Sequence, residues 1–159
     1  MSLDVFAYLE QLSHERYRTM ILHAAPDKGQ ALTRFVQRIA ERNGGKYFDL
    51  LDYFVQSAQL SSRIDSYRLE NLKDLLIDQS RGARLLILDR PDFLLDTWTP
   101  PERQSFFRLL ANQWDGFRDT TRSILLIAMQ TSIEMQQVSL LDAQGQSRIF
   151  QLDDFNDIL

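Results

Sequence analysis

At 159 residues and 18.6 kDa, with 44% hydrophobic and 25% charged residues, the chain has the make-up of one ordinary globular domain able to bury a substantial core. Its net charge of −4 and pI near 5.1 argue against a general nucleic-acid binder and leave room only for a local basic patch. The absence of Cys excludes disulfides, zinc fingers and thiol catalysis, and two isolated His make a His-based metal cluster unfavourable.

The N-terminal apolar pattern is broken by Asp4 and Glu10, which is not a secretory signal, and no run approaches the about 18 apolar residues of a membrane span. A cytoplasmic protein is expected. The cations are uneven, fifteen Arg against three Lys, and Arg suits bidentate phosphate and interface contacts.

In chain order, Val5, Phe6, Leu9 and Leu12 recur at helical spacing and predict a short helix over Leu3 to Ser13, packed on one sheet edge, with His14 at its solvated end. Tyr17 to His23 predicts the first strand. A loop follows, then a helix whose Leu32, Phe35, Val36, Ile39 and Ala40 form one apolar stripe and which Asn43-Gly44-Gly45 stops, because Gly accepts the left-handed conformation. Lys46 to Leu50 predicts a second strand, Leu51 to Ala58 reads as strand or helix, and the polar Gln59 to Asp65 predicts a loop. Asp65 or Ser66 is expected to cap a helix burying Leu69, Leu72, Leu75 and Leu76.

Arg84 to Leu88 is a continuous apolar run of the kind that forms a central parallel strand. Beyond it Phe93, Leu94, Leu95 and Trp98 offer an interface loop or fold back as core. Thr99-Pro100-Pro101-Glu102 predicts a capped helix start, and Phe106, Phe107, Leu110, Trp114 and Phe117 a buried aromatic face. Ser123 to Met129 predicts the fourth strand, Ile133 to Leu141 a short helix and Arg148 to Leu152 a fifth strand. Strands alternating with helices predict a parallel α/β sheet.

Two stretches carry the candidate chemistry. The loop after the first strand reads Ala24-Ala25-Pro26-Asp27-Lys28-Gly29-Gln30-Ala31. The pattern G-x-x-x-x-G-K-[ST] lies over it with Ala24 for the first Gly, Gln30 for Lys and Ala31 for Ser/Thr. Only Gly29 remains. Gln30 carries no charge to neutralise a phosphate and Ala31 cannot ligate Mg²⁺, so what is left is a helix N-terminus with free N–H groups. The second stretch, Leu85-Leu86-Ile87-Leu88-Asp89, is an apolar strand ending in an acid.

This order of elements resembles, over residues 17–152, the core of the P-loop NTPases that carry a separate strand between their two Walker motifs, a group that includes the AAA+ ATPases. The resemblance implies a three-layer α/β fold: a five-stranded parallel sheet with helices on both faces. Residues 1–15 add an N-terminal helix, and the ending at Leu159 leaves no room for a lid domain. It implies a nucleotide-binding loop at Ala25, Pro26, Asp27, Lys28, Gly29, Gln30 and Ala31, with Asp89 as the Walker B acid that holds Mg²⁺ through water. Arg90 then stands where a catalytic Glu is usual, and Gln130 or Thr131 at the sensor position. The chain is also similar to BrxF, the small P-loop protein of BREX phage-defence systems, in length, in the short helix before the first strand, in the strand from Arg84 to Asp89 and in the missing lid. That likeness implies a defence subunit beside larger ATPase and methyltransferase partners.

Four altered parts of the hydrolytic apparatus favour a non-catalytic or weakly nucleotide-binding subunit that assembles or regulates a larger complex, as a possible homo-oligomer and with nucleic acid touched only indirectly. In this reading Arg90, Arg118 or Arg122 acts on a partner's nucleotide, or is ordinary surface Arg. The alternative is a genuine ATPase that binds ATP and Mg²⁺ through Lys28 and Asp89, with Asp92 or a partner supplying the base.

Overall fold

Three apolar runs make the middle of one five-stranded sheet in the computed structural model, which describes residues 2–117 and 122–158. They are β1 (Thr19–Ala24), β3 (Leu85–Asp89) and β4 (Ile124–Gln130), buried throughout except for Gln130. The half-exposed β2 (Lys46–Asp49) and β5 (Ile149–Gln151) form the edges. The order is β2-β3-β4-β1-β5, and every pairing is parallel. Continuous apolar strands in such a sheet demand cover on both faces, and alternate residues of β3 go to opposite cores. Leu86 and Leu88 face one, Leu85 and Ile87 the other.

The second of these cores is closed by α1 (Val5–Leu12) and α2 (Gly29–Asn43). The predicted stripe of α2 is buried in full, and Gly44, at φ 66°, ends the helix with its N–H on the Ala40 carbonyl. The expectation that the first helix packs on a sheet edge is corrected. Its Val5, Leu9 and Leu12 lie in the core of the α2 face with Leu85 and Ile124, because burying three apolar side chains needs a face rather than a rim. The backbone pairing of Leu3 with Asp154 and Asn156 ties its start to the C-terminal segment.

The opposite face carries α3 (Leu50–Val55), α4 (Ala58–Ser62), α5 (Leu69–Ser80), α6 (Asp92–Leu95), α7 (Pro100–Arg108) and α8 (Ile133–Gln136). The ambiguous 51–58 stretch is largely helical. The predicted loop from Gln59 to Asp65 is also mostly helical: Ser57 accepts a hydrogen bond from Leu60 N, and Leu60 and Ile64 pack on the core. Asp65 and Ser66 lie inside a 3₁₀ turn, so the start of α5 is tied instead by Asn71, whose side chain accepts from Arg68 N. Leu69 and Leu75 are only half-buried, whereas Leu72 and Leu76 are fully covered.

Thr99 caps α7 as predicted. After Arg108 the helix widens into one π turn over Leu109–Gln113, where the carbonyls of Leu110 and Ala111 accept hydrogen bonds from outside the helix. Phe106, Phe107, Leu110 and Trp114 are buried and Phe117 half-buried. Leu94, Leu95 and Trp98 are core, with the Trp98 indole donating to the Tyr67 carbonyl, and only Phe93 is partly exposed. An interface loop from these residues is thereby ruled out in favour of the core reading. Among the described residues no helix is long and apolar enough to cross a membrane.

Candidate functional site

Because the sheet is parallel, β1, β3 and β4 deliver their last residues to one rim, and the register sets Ala24 beside Gln130 and Asp89 beside Ala128 and Asp49. Such a rim is where open α/β sheets bind ligands. A cleft of about 530 Å³ opens there, between the first turns of α2 and the ends of β3 and β4. Pro26, Gly29, Gln30, Thr33, Asp89 and Arg90 line it, with Arg34, Asp92 and Gln130.

Of the predicted loop, Pro26, Gly29 and Gln30 line this cleft, whereas Ala25, Asp27, Lys28 and Ala31 do not. Pro26, Asp27 and Lys28 form a single 3₁₀ turn after the exposed Ala25, and α2 begins at Gly29. Lys28 does not turn inward to replace the missing charge: its Nζ lies 3.3 Å from Asp153 Oδ2 in an exposed ion pair, outside the cleft lining. Ala31, matched with the metal-ligating Ser/Thr, lines a different groove of about 550 Å³ between α2 and residues 152–157. The hydroxyl beside the acid belongs to Thr33, half a helical turn later.

Asp89 is 1% exposed and held from three sides. Thr33 Oγ1 donates to its Oδ2 at 2.7 Å, Tyr47 OH donates to the same oxygen at 2.6 Å, and the Arg90 N–H donates to Oδ1 at 2.9 Å. Burial raises its pKa above the ordinary carboxylate value, and the hydrogen bonds from Tyr47 and Thr33 oppose that rise. A carboxylate offers about four acceptor positions, so three are already taken. With three acceptor positions of Asp89 filled and Ala31 in place of a hydroxyl, the residues do not match the carboxylate-plus-hydroxyl ligation that the P-loop pattern implies for Mg²⁺.

Arg90 adopts φ 56°, a left-handed conformation that costs a non-glycine residue about 1–2 kcal/mol. Its side chain forks onto Asp49, with Nε 3.0 Å from Oδ1 and Nη2 on Oδ2. The Arg90 cation is therefore neutralised within the chain. Asp92 lines the cleft, accepts from Gln130 N at 3.0 Å, and has its pKa raised by burial. It is the best-placed base for the alternative reading. Arg122 sits at the far end of β4 from Asp89, and Arg118 lies outside the described residues.

The two candidates for the expected sensor position part. Gln130 is exposed in the cleft, while Thr131 turns to His23, its Oγ1 sharing a 2.7 Å hydrogen bond with Nδ1. His23 is 4% exposed, and burial lowers its pKa from the usual 6.5. Between the unfolded and the lower folded value only the unfolded chain takes up the proton, so His23 contributes stability above about pH 6.5 that is lost as pH falls toward the folded pKa. The urea midpoint is expected to drop over that interval, and the drop to shrink in His23→Gln. An equal slope in the variant would remove His23 as its source.

Thr33, Tyr47 and Asp49 were not singled out by the pattern. A signal existed: strand alternation puts Asp89 on the face of Ile87, toward α2, and a neighbouring edge strand must lie beside it.

The fold and site define an α/β protein with a five-stranded all-parallel sheet, helices on both faces, and a polar cleft at the strand ends. No known family model matches the chain, and no curated protein matches it.

Proposed function

We propose that this protein is a P-loop-type subunit whose nucleotide site no longer turns over and whose role is to assemble or regulate a larger complex. The observation that carries the proposal is the closure of Asp89 by Thr33, Tyr47 and the Arg90 N–H in a cleft where Gln30 takes the place of the phosphate-binding cation. The strand order supports the P-loop reading, since β4 lies between the loop-bearing β1 and the acid-bearing β3. The first turn of the fifteen-residue α2 also opens on the cleft, with backbone donors and a positive dipole end. A weak, metal-independent interaction with phosphate groups is the chemistry such a cleft retains. The likeness to the small P-loop proteins of BREX systems extends the proposal to a defence complex with a larger ATPase.

The test is calorimetric titration of the purified protein with ATP, with and without Mg²⁺, beside a phosphate-release assay. Weak or absent binding that Mg²⁺ does not strengthen, without phosphate release, is the expected result. Micromolar Mg²⁺-dependent binding that disappears in Asp89→Ala would overturn it and establish the ATPase alternative, with Asp92 as the next residue to replace.

A further inference from the structure

The end of the sheet opposite the cleft gathers cations that have no ion pair among the described residues. Arg42 lies in the last turn of α2, Lys46 opens β2, Arg84 immediately precedes β3 and Arg122 stands two residues before β4. All four are exposed, and none makes an ion pair or side-chain hydrogen bond among the described residues. Elsewhere most cations are engaged: Lys28 with Asp153, Arg38 with Asp157, Arg68 with Glu102, Arg90 with Asp49 and Arg103 with Glu134. The acids Asp49, Asp89 and Asp92 collect at the cleft end. A net charge of −4 thus hides a polar molecule with one basic end.

Parallel pairing makes the cations a row. Leu85 is in register with Ile124, and Lys46 with Leu86, so Lys46, Arg84 and Arg122 stand at the starts of three adjacent strands, about 10 Å apart across the sheet and staggered by three residues along it. Arg84 and Arg122 line one small hollow with Ser13 and Asn43. Glu10 lines it too, but its carboxylate contacts His14 at 3.3 Å, and Glu41 adjoins Arg42, so among the described residues the cations here outnumber the acids.

We propose that this basic end binds the phosphate backbone of nucleic acid without reading its sequence. A row of exposed guanidinium and ammonium groups matches successive phosphates. A protein partner would need an apolar core to its interface, and the exposed large hydrophobic residues, Leu3, Tyr53, Val55, Ile133 and Leu141, belong to other segments. No exposed aromatic side chain interrupts the row, so bases have no stacking platform and the contact is with the backbone.

The experiment is fluorescence anisotropy of a labelled mixed-sequence duplex against the purified protein over a salt series. Binding that weakens with salt at a log–log slope of about −3, as three or four phosphate contacts require, is expected. The Arg84→Gln/Arg122→Gln double variant, its fold checked by circular dichroism, is expected to bind about tenfold more weakly with the slope reduced by about 2. Should that variant fail to fold, Arg42→Gln/Lys46→Gln is predicted to show the same loss. Arg63→Gln, an exposed and unpaired cation before the cleft-side start of α5, is expected to bind like the parent. No binding at low salt, or binding that both double variants leave unchanged, overturns the proposal. So does a polyglutamate peptide that binds with the same dependence on Arg84 and Arg122 while the duplex does not, which would assign the surface to an acidic protein.

Discussion

Arg148→Ala is expected to lower the free energy of unfolding by about 3–5 kcal/mol, the size expected when several buried carbonyls lose a donor and a void is left. Arg148 is 1% exposed and, among the described residues, touches no carboxylate within hydrogen-bonding distance. Its guanidinium donates instead to Thr19 O at 3.0 Å, Thr19 Oγ1 at 2.6 Å, Ala111 O at 2.8 Å and Leu141 O at 3.0 Å, and lies 5.7 Å from the Tyr17 ring centre. One side chain thereby joins the start of β1, the approach to β5 and the π turn after α7. Burial pushes its pKa below the ordinary Arg value, and the nearby Tyr8, Asp115, Asp142 and Glu15 oppose that shift. Removing it strands carbonyls whose desolvation costs about 1–3 kcal/mol each, and leaves a void. Arg148→Met keeps most of the volume and loses only the donors, so its loss should be smaller. Urea denaturation of both variants measures the difference, and a loss below about 1 kcal/mol in Arg148→Ala would contradict the assignment.

Placing a cation at position 30 in the cleft is the second large effect. Gln30→Lys is expected to strengthen ATP binding about ten- to hundredfold, since a hydrogen bond to a charged group contributes about 1.5–3 kcal/mol. Gln30 stands in the first turn of α2 and lines the cleft, so a Lys there meets a phosphate seated on the helix N-terminus. Lys28→Gln, which removes only the outward ion pair with Asp153, should leave binding unchanged. Adding Tyr47→Phe to Gln30→Lys frees one acceptor position on Asp89 and should make binding respond to Mg²⁺. Unaltered affinity in Gln30→Lys, with the fold intact, would mean that the cleft does not seat a phosphate and that the P-loop reading of residues 24–31 is wrong.

The parts of this molecule that the chain announces are those governed by periodicity and by local backbone chemistry. The stripe from Leu32 to Ala40, the stop at Gly44, the cap at Thr99 and the apolar runs of β1, β3 and β4 are all readable, because each depends on residues close in sequence. The polar stretch after Ala58 misleads for the same reason. Its helix is held by Leu60 and Ile64 reaching a core that other segments build.

The candidate site divides along the same line. That Asp89 ends a buried strand and Gly29 starts a helix follows from local pattern. That Lys28 turns to Asp153, that Thr33 rather than position 31 meets Asp89, and that Asp49 takes the Arg90 guanidinium depend on which strands become neighbours and how α2 lies across them. The sequence by itself determined a parallel α/β sheet with a polar, weakly charged loop at the end of its first strand, since periodicity and turn chemistry act over a few residues. Only the tertiary structure decided that the acid is closed, that Arg148 sits buried among carbonyls, and that four scattered cations form one basic end. Charge pairing and burial are properties of distances between segments, and those distances exist only once the sheet is assembled.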